Sequence, residues 1–340
     1  MRILLQITLI FTLIVILMGA YTRLSDAGLG CPDWPGCYGQ LKVPSAQDEI
    51  RQAQAAYPLL TIEQDKAWLE MIHRYIAGTL GLMVFAIWVY CLRTPNTPKR
   101  LASFIAGLIV FQAALGMWTV TLKLMPIIVM AHLVGGFSLL ALLLLLYLRA
   151  HPSQIETENH AQIAKLQPFA IVCLGVLIVQ IILGGWTSSN YAALSCTTLP
   201  LCEGEWQSNL DFKQAFNPFQ GQHDTFEFGV LDYAARMTIH VSHRIWALVT
   251  LVMLGTLAWR LFKSSQTQQY KRASIYLSGA LFIQFCLGIS NIVFHLPLGI
   301  AVAHNGMAAL LLLTLVYLNF LIWHQAKYAR LPYKSQTVEN

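Results

Sequence analysis

The chain has 340 residues, of which 56% are hydrophobic and only 11% charged, and its mean hydropathy is +0.56. Soluble chains carry about 25% charged residues, so a chain this poor in charge could not cover its own surface, which excludes a soluble enzyme, a disordered protein and a collagen-like one. The net charge of +6 does not point to nucleic acid, because the 22 basic residues sit in short segments between apolar runs and there report membrane topology.

A helical crossing takes about 20 mostly apolar residues, and eight runs qualify. The first, 3–20, follows Arg2 and could be read as a cleavable leader, but its end, Gly19-Ala20-Tyr21-Thr22, recurs mid-chain and argues for a retained helix. A polar segment with Cys31 and Cys37 leads to the second run, 68–92, which opens on Glu70, His73 and Arg74. Runs 101–122 and 127–148 carry Gln112 and His132 and complete a first half at 1–150. The polar stretch 151–164, with Glu156 and Glu158, reads as a solvated cytoplasmic linker. Run 167–187 then ends in Gly184-Gly185-Trp186-Thr187 and leads to Cys196 and Cys202. Run 238–261 carries His240, His243 and Arg244, run 273–294 carries Gln284, and run 298–323 carries His304.

Runs of this length without strand alternation predict an all-α, polytopic membrane protein rather than a barrel. The cysteine pairs repeat at an offset of 165, His73-Arg74 and His243-Arg244 at 170, and Gln112/Gln284 and His132/His304 at 172. A fixed order with small drift is the mark of a duplication, so we expect two tandem four-helix bundles, 1–150 and 165–325. Each half makes an even number of crossings, which predicts a pseudo-two-fold axis along the membrane normal. Thirteen basic residues fall on the side of the termini against seven in the longer opposite loops, which puts both termini in the cytoplasm.

His73, His132, His243 and His304 fall near the outer ends of the second, fourth, sixth and eighth helices. Each could be a packing histidine bonded to neighbouring backbone, but metal-binding side chains within spans are costly and tend to face a functional interior. Two histidines on facing helices are the ligand set of a haem iron with two axial imidazoles, which implies one haem per half. A zinc or di-metal site would recruit carboxylates, and the spans offer Glu70 alone. Glu70 stands where the second half has His240, so one site reads as reactive and the other as an electron carrier, unless Glu70 is an interfacial carboxylate at a helix N-terminus. Arg74 and Arg244 are candidate partners for haem propionates, and Gln112 and Gln284 for interhelical hydrogen bonds. On an oxidising side, Cys31/Cys37 and Cys196/Cys202 are each expected to close a small disulfide; a zinc site would want more ligands than His223, which is all the loops add. Cys91, Cys173 and Cys286 read as buried thiols.

Taken together, Glu70-x-x-His73-Arg74, Ala131-His132, His243-Arg244, Ala303-His304 and the paired loop cysteines resemble the haem A synthase family over nearly the whole chain. The resemblance implies a bacterial inner-membrane oxidoreductase that converts the C8 methyl group of haem O to a formyl group through hydroxymethyl and gem-diol stages. It implies haem B (iron) as cofactor on His243 and His304, with Arg244 beside it. It implies substrate haem near His73, His132 and Arg74, and Glu70 as the catalytic carboxylate. As partners it suggests the lipid bilayer, haem O synthase, oxidase assembly factors and a second copy of the chain. A dihaem cytochrome that only carries electrons would share the four histidines, and a transporter of parallel repeats would show helices broken at mid-membrane.

Overall fold

The computed structural model describes residues 1–151 and 160–329; Glu156, Glu158, Arg330 and Lys334 lie outside the described residues. Among the described residues, eight helices are long and apolar enough to cross a membrane. They are α1 (Arg2–Leu24), α2 (Gln64–Arg93), α3 (Lys99–Thr121), α4 (Pro126–Ala150), α5 (Gln167–Ser189), α6 (Tyr233–Ser264), α7 (Gln268–Val293) and α8 (Leu298–Ala329). The architecture is all-α, and each span satisfies its backbone groups internally, as a crossing of lipid requires. Short helices, Gln47–Ala56 and Phe212–Ala215, sit in the two long loops.

The apolar runs predicted the helices, but several helices outlast them. Asp232 accepts from the Ala235 amide at 2.9 Å and starts α6 five residues before the run 238–261. The longer α6 places His240 well inside a helix. Pro126 opens α4, where a missing amide costs nothing.

Within the first half α1 packs on α2, α2 on α3, α3 on α4 and α4 back on α1; α5 to α8 close a second ring in the same order. The rings meet through α1, α4, α5 and α8. Helix α1 packs on α8 and α5 on α4, contacts that exchange with each other when the halves are exchanged. Helix α8 is the most central element, with half of its most apolar stretch buried inside the protein against a third or less in the others.

Towards the end where α1 begins lie two apolar cores, one within the first half and a larger one in the second that also takes in Phe137 and Leu140 of α4. Leu5, Ile87, Ile105 and Leu146 belong to the first core, and Leu257, Tyr270, Leu318 and Ile322 to the second. At the opposite end, the loop end, packing gives way to cavities. The longer loop of the second half crosses onto the first there: the Phe226 amide donates to the Lys123 carbonyl at 3.0 Å, and the Trp186 indole holds the loop through the Ala215 carbonyl at 2.8 Å. Cys91 and Cys173 are buried as expected, whereas Cys286 is exposed on α7, where lipid rather than protein covers an apolar thiol.

Candidate haem sites

Two cavities lie at the loop end, one in each ring. The first, about 680 Å³, is lined by Glu70, His73, Arg74, Gln112 and His132. The second, about 640 Å³, is lined by His240, His243, Arg244, Gln284 and His304. Both volumes suit a cofactor-sized ligand. The four histidines singled out from the repeat are thus distributed two to a cavity, the pairs coming from α2 with α4 and from α6 with α8.

Each imidazole is seated on a glycine of the preceding helix. A methyl group placed on Gly19 would come within 2.8 Å of His73 Cε1, on Gly116 within 3.4 Å of His132, on Gly184 within 3.2 Å of His243 and on Gly288 within 3.2 Å of His304. These glycines stand at equivalent places of the two halves, so the duplication has kept ring and seat together. Gln284 Nε2 lies 3.3 Å from His304 Nε2, which is the interhelical contact expected of it. Gln112 differs: its amide nitrogen is buried without a partner and lies against Gly135 of α4, on the cavity wall. Gln180 of α5, which the repeat did not reveal because its counterpart is Val15, lies 3.3 Å from His243 Nδ1.

Glu70 and Arg74 turn towards the first disulfide loop. Glu70 is 4% exposed; its Oε2 accepts from the Cys31 amide at 2.9 Å, and its Oε1 pairs with Arg74 Nη2. Arg74 Nη1 donates to the carbonyls of Asp33 (2.9 Å), Pro35 (3.2 Å) and Gly36. The second half repeats the device with a different partner. Arg244 donates to the carbonyls of Cys196, Thr198 and Leu201, and its Nε lies 3.2 Å from His240 Nε2. Both arginines, expected to meet propionates, therefore clamp the loops as well as lining the cavities. Sequence reasoning missed this because the acceptors are backbone carbonyls.

The loops are closed covalently by Cys31–Cys37 and Cys196–Cys202. Among the described residues, the one group of three metal-ligating side chains close enough to share an ion is Cys196, Cys202 and Glu203, and there the two sulfurs are bonded to each other. Glu203 accepts from the amides of Thr197 (2.7 Å) and Thr198 (3.0 Å) and from the Thr197 hydroxyl, which pulls its carboxyl down to about 2. His223 is exposed, with Nε2 at 2.9 Å from the Gln220 carbonyl, and takes no part.

The residues present fit a bis-imidazole haem. The Nδ1 atoms of His73, His132, His240 and His304 are buried without a protein partner, a state that buried polar atoms rarely tolerate, whereas His243 has Gln180 Nε2 at 3.3 Å from its Nδ1. The glycine seats let each ring pack closely on the preceding helix while it lines its cavity. Arg23, at the loop end of α1, lines both cavities and was not foreseen, because its counterpart in the repeat is Ser188. Its Nη2 donates to the Ser188 carbonyl at 3.0 Å and its guanidinium lies over the Tyr191 ring at 4.1 Å. Leu133 and Asn305 also line both cavities, so the two share a wall.

The family model COX15-CtaA, described as cytochrome oxidase assembly protein, matches residues 2–316. The chain is 64% identical to a heme A synthase of Shewanella oneidensis over 95% of this chain and 97% of that protein. It is 26% identical to a heme A synthase of Granulibacter bethesdensis, over 88% of this chain and 81% of the relative. To one of Caulobacter vibrioides it is again 26% identical, over 89% of this chain and 90% of the relative.

Proposed function

Because the chain belongs to the COX15-CtaA family of cytochrome oxidase assembly proteins, we propose that it is a haem A synthase in which the two halves have divided the work. It oxidises the C8 methyl group of haem O to a formyl group through a hydroxymethyl stage. Converting CH3 and water to CHO removes electrons and protons in equal number, so the site needs both a proton acceptor and an outlet for electrons. The observation that carries this reading is the asymmetry of two cavities built on matched histidines: the first holds a buried carboxylate, Glu70, where the second has His240.

In this reading His73 and His132 hold the substrate haem, and Glu70 takes protons from the methyl carbon or orients the water that adds to it. Arg74 and the Cys31 amide each hold one Glu70 oxygen, which fixes the carboxylate where it lines the cavity. His243 and His304 would hold haem B, with Arg244 and Gln180 bracing that site. When bound, haem B supplies one-electron redox chemistry. The shared wall at Leu133 and Asn305 keeps the two sites adjacent. Arg74, Arg244 and Arg23 offer the cationic groups for propionates at the loop end, the first two sharing their donors with loop carbonyls. The halves, 1–150 and 165–325, are related by an axis along the membrane normal. The chain sits in the bacterial inner membrane with both termini cytoplasmic, receiving haem O from its synthase and passing haem A to oxidase assembly. A protein that only carried electrons would need Glu70 for nothing beyond its bonds to Arg74 and the Cys31–Cys37 loop.

The test is extraction of non-covalent haems from membranes of cells that express the chain and are supplied with haem O. Haem A in the chromatogram, absent without the chain, is expected; haem O alone, with the protein present and folded, would contradict the reading.

A further inference from the structure

The two cavities differ in shape as well as in chemistry. The register fixed by His73 and His243 sets Gly78 of α2 against Leu248 of α6 and Gly81 against Leu251, and the register fixed by Gly116 and Gly288 sets Ala113 of α3 against Phe285 of α7. All six line their cavities, and at all three places the first half has the smaller side chain. A methyl group added at Gly78 or Gly81 would meet nothing within 4 Å, so the space is open rather than filled by a neighbour. Gly78 and Ala113 are exposed, which carries the opening out between α2 and α3 to the lipid-facing surface. Phe85, one turn beyond Gly81, gives the opening an aromatic wall.

We propose that Gly78, Gly81 and Ala113 form a slot for a long apolar chain attached to the substrate porphyrin, and that Leu248, Leu251 and Phe285 close the same slot in the second half. Haem O carries a hydroxyalkyl farnesyl chain where haem B carries a vinyl group, so the slot admits the substrate to the first cavity and its closure reserves the second for haem B. The slot supplies apolar surface along the chain, and each buried methylene adds to the preference. Its outlet between α2 and α3 lets the part of the chain not held by protein remain in lipid. This inference rests on the proposed function, which places the substrate haem between His73 and His132.

The experiment uses the full chain purified in detergent with its resident haem. Haem O and haem B are titrated separately, and binding beyond the resident haem is read by absorbance and by chromatography of the retained pigment. Wild type is expected to prefer haem O. Gly81→Leu and Ala113→Phe, which install the second-half side chains, should weaken haem O tenfold or more and leave haem B within twofold. Resident haem content reports folding; if either variant loses it, Gly81→Ala and Ala113→Val carry the test with a smaller selective loss. Unchanged haem O affinity, equal weakening of both haems, or a wild type without preference would overturn the slot. His132→Ala separates this from the parent reading. Extra haem O binding that survives His132→Ala defeats the placement of substrate in this cavity and the slot with it. Its loss there, with Gly81→Leu unchanged, defeats the slot alone.

Discussion

Glu70 and Arg74 are ion-paired one helical turn apart on α2, and both use their remaining hydrogen bonds to hold the Cys31–Cys37 loop. Breaking one side of a buried pair leaves an uncompensated charge, which costs about 3–5 kcal/mol. Arg74→Ala is therefore expected to lower the thermal midpoint of the solubilised protein clearly and to loosen the loop, whereas Arg74→Lys should recover part of the midpoint through charge alone. Equal midpoints for wild type and Arg74→Ala would show that the pair has no structural weight.

The assignment of the second cavity to the resident haem makes the four histidines unequal. His243→Ala or His304→Ala should remove the absorption bands of bound b-type haem from the purified protein. His73→Ala and His132→Ala should retain those bands and lose turnover. If all four variants keep the bands and the haem content of wild type, the ligands lie elsewhere.

The glycine seats predict a contrast within one half. Gly184→Val and Gly288→Val would push side chains onto the rings of His243 and His304, and should deplete resident haem while the protein still reaches the membrane. Gly255 of α6, where an added methyl meets nothing within 4 Å, serves as the comparison. Gly255→Ala should keep its haem and gain roughly 0.5–1 kcal/mol of helix stability. Haem contents that do not separate these variants would contradict the seating.

Both loops are closed by disulfides in their own half, so thiol labelling of the unfolded protein without reductant should modify Cys91, Cys173 and Cys286 only. Reductant should expose four more sites, found by mass mapping at Cys31, Cys37, Cys196 and Cys202. Labelling of all seven without reductant would mean that the loops are held by hydrogen bonds alone.

The eight helices and their order were legible because lipid imposes one rule on every span, and the histidines because a duplication repeats them at nearly constant offsets. Helix ends were less legible: hydropathy stops at the apolar edge, while Asp232 lets α6 run past it into polar sequence. The loop clamps of Arg74 and Arg244 could not be read, since their acceptors are main-chain carbonyls that every residue type offers. Arg23 and Gln180 escaped for a different reason. Each serves only one of the two equivalent places, so comparison of the halves passes over them.

The division of labour between the halves rests on Glu70, and Glu70→Gln tests it most directly because the amide keeps the size of the side chain and removes its proton-accepting group. Non-covalent haems are extracted from membranes of cells expressing wild type or Glu70→Gln with a haem O supply, and resolved by chromatography. The account predicts that the variant keeps its resident haem b, accumulates haem O or the hydroxymethyl intermediate, and yields little haem A. Haem A at the wild-type level would contradict it, leaving Glu70 as a carboxylate that only anchors the Cys31–Cys37 loop.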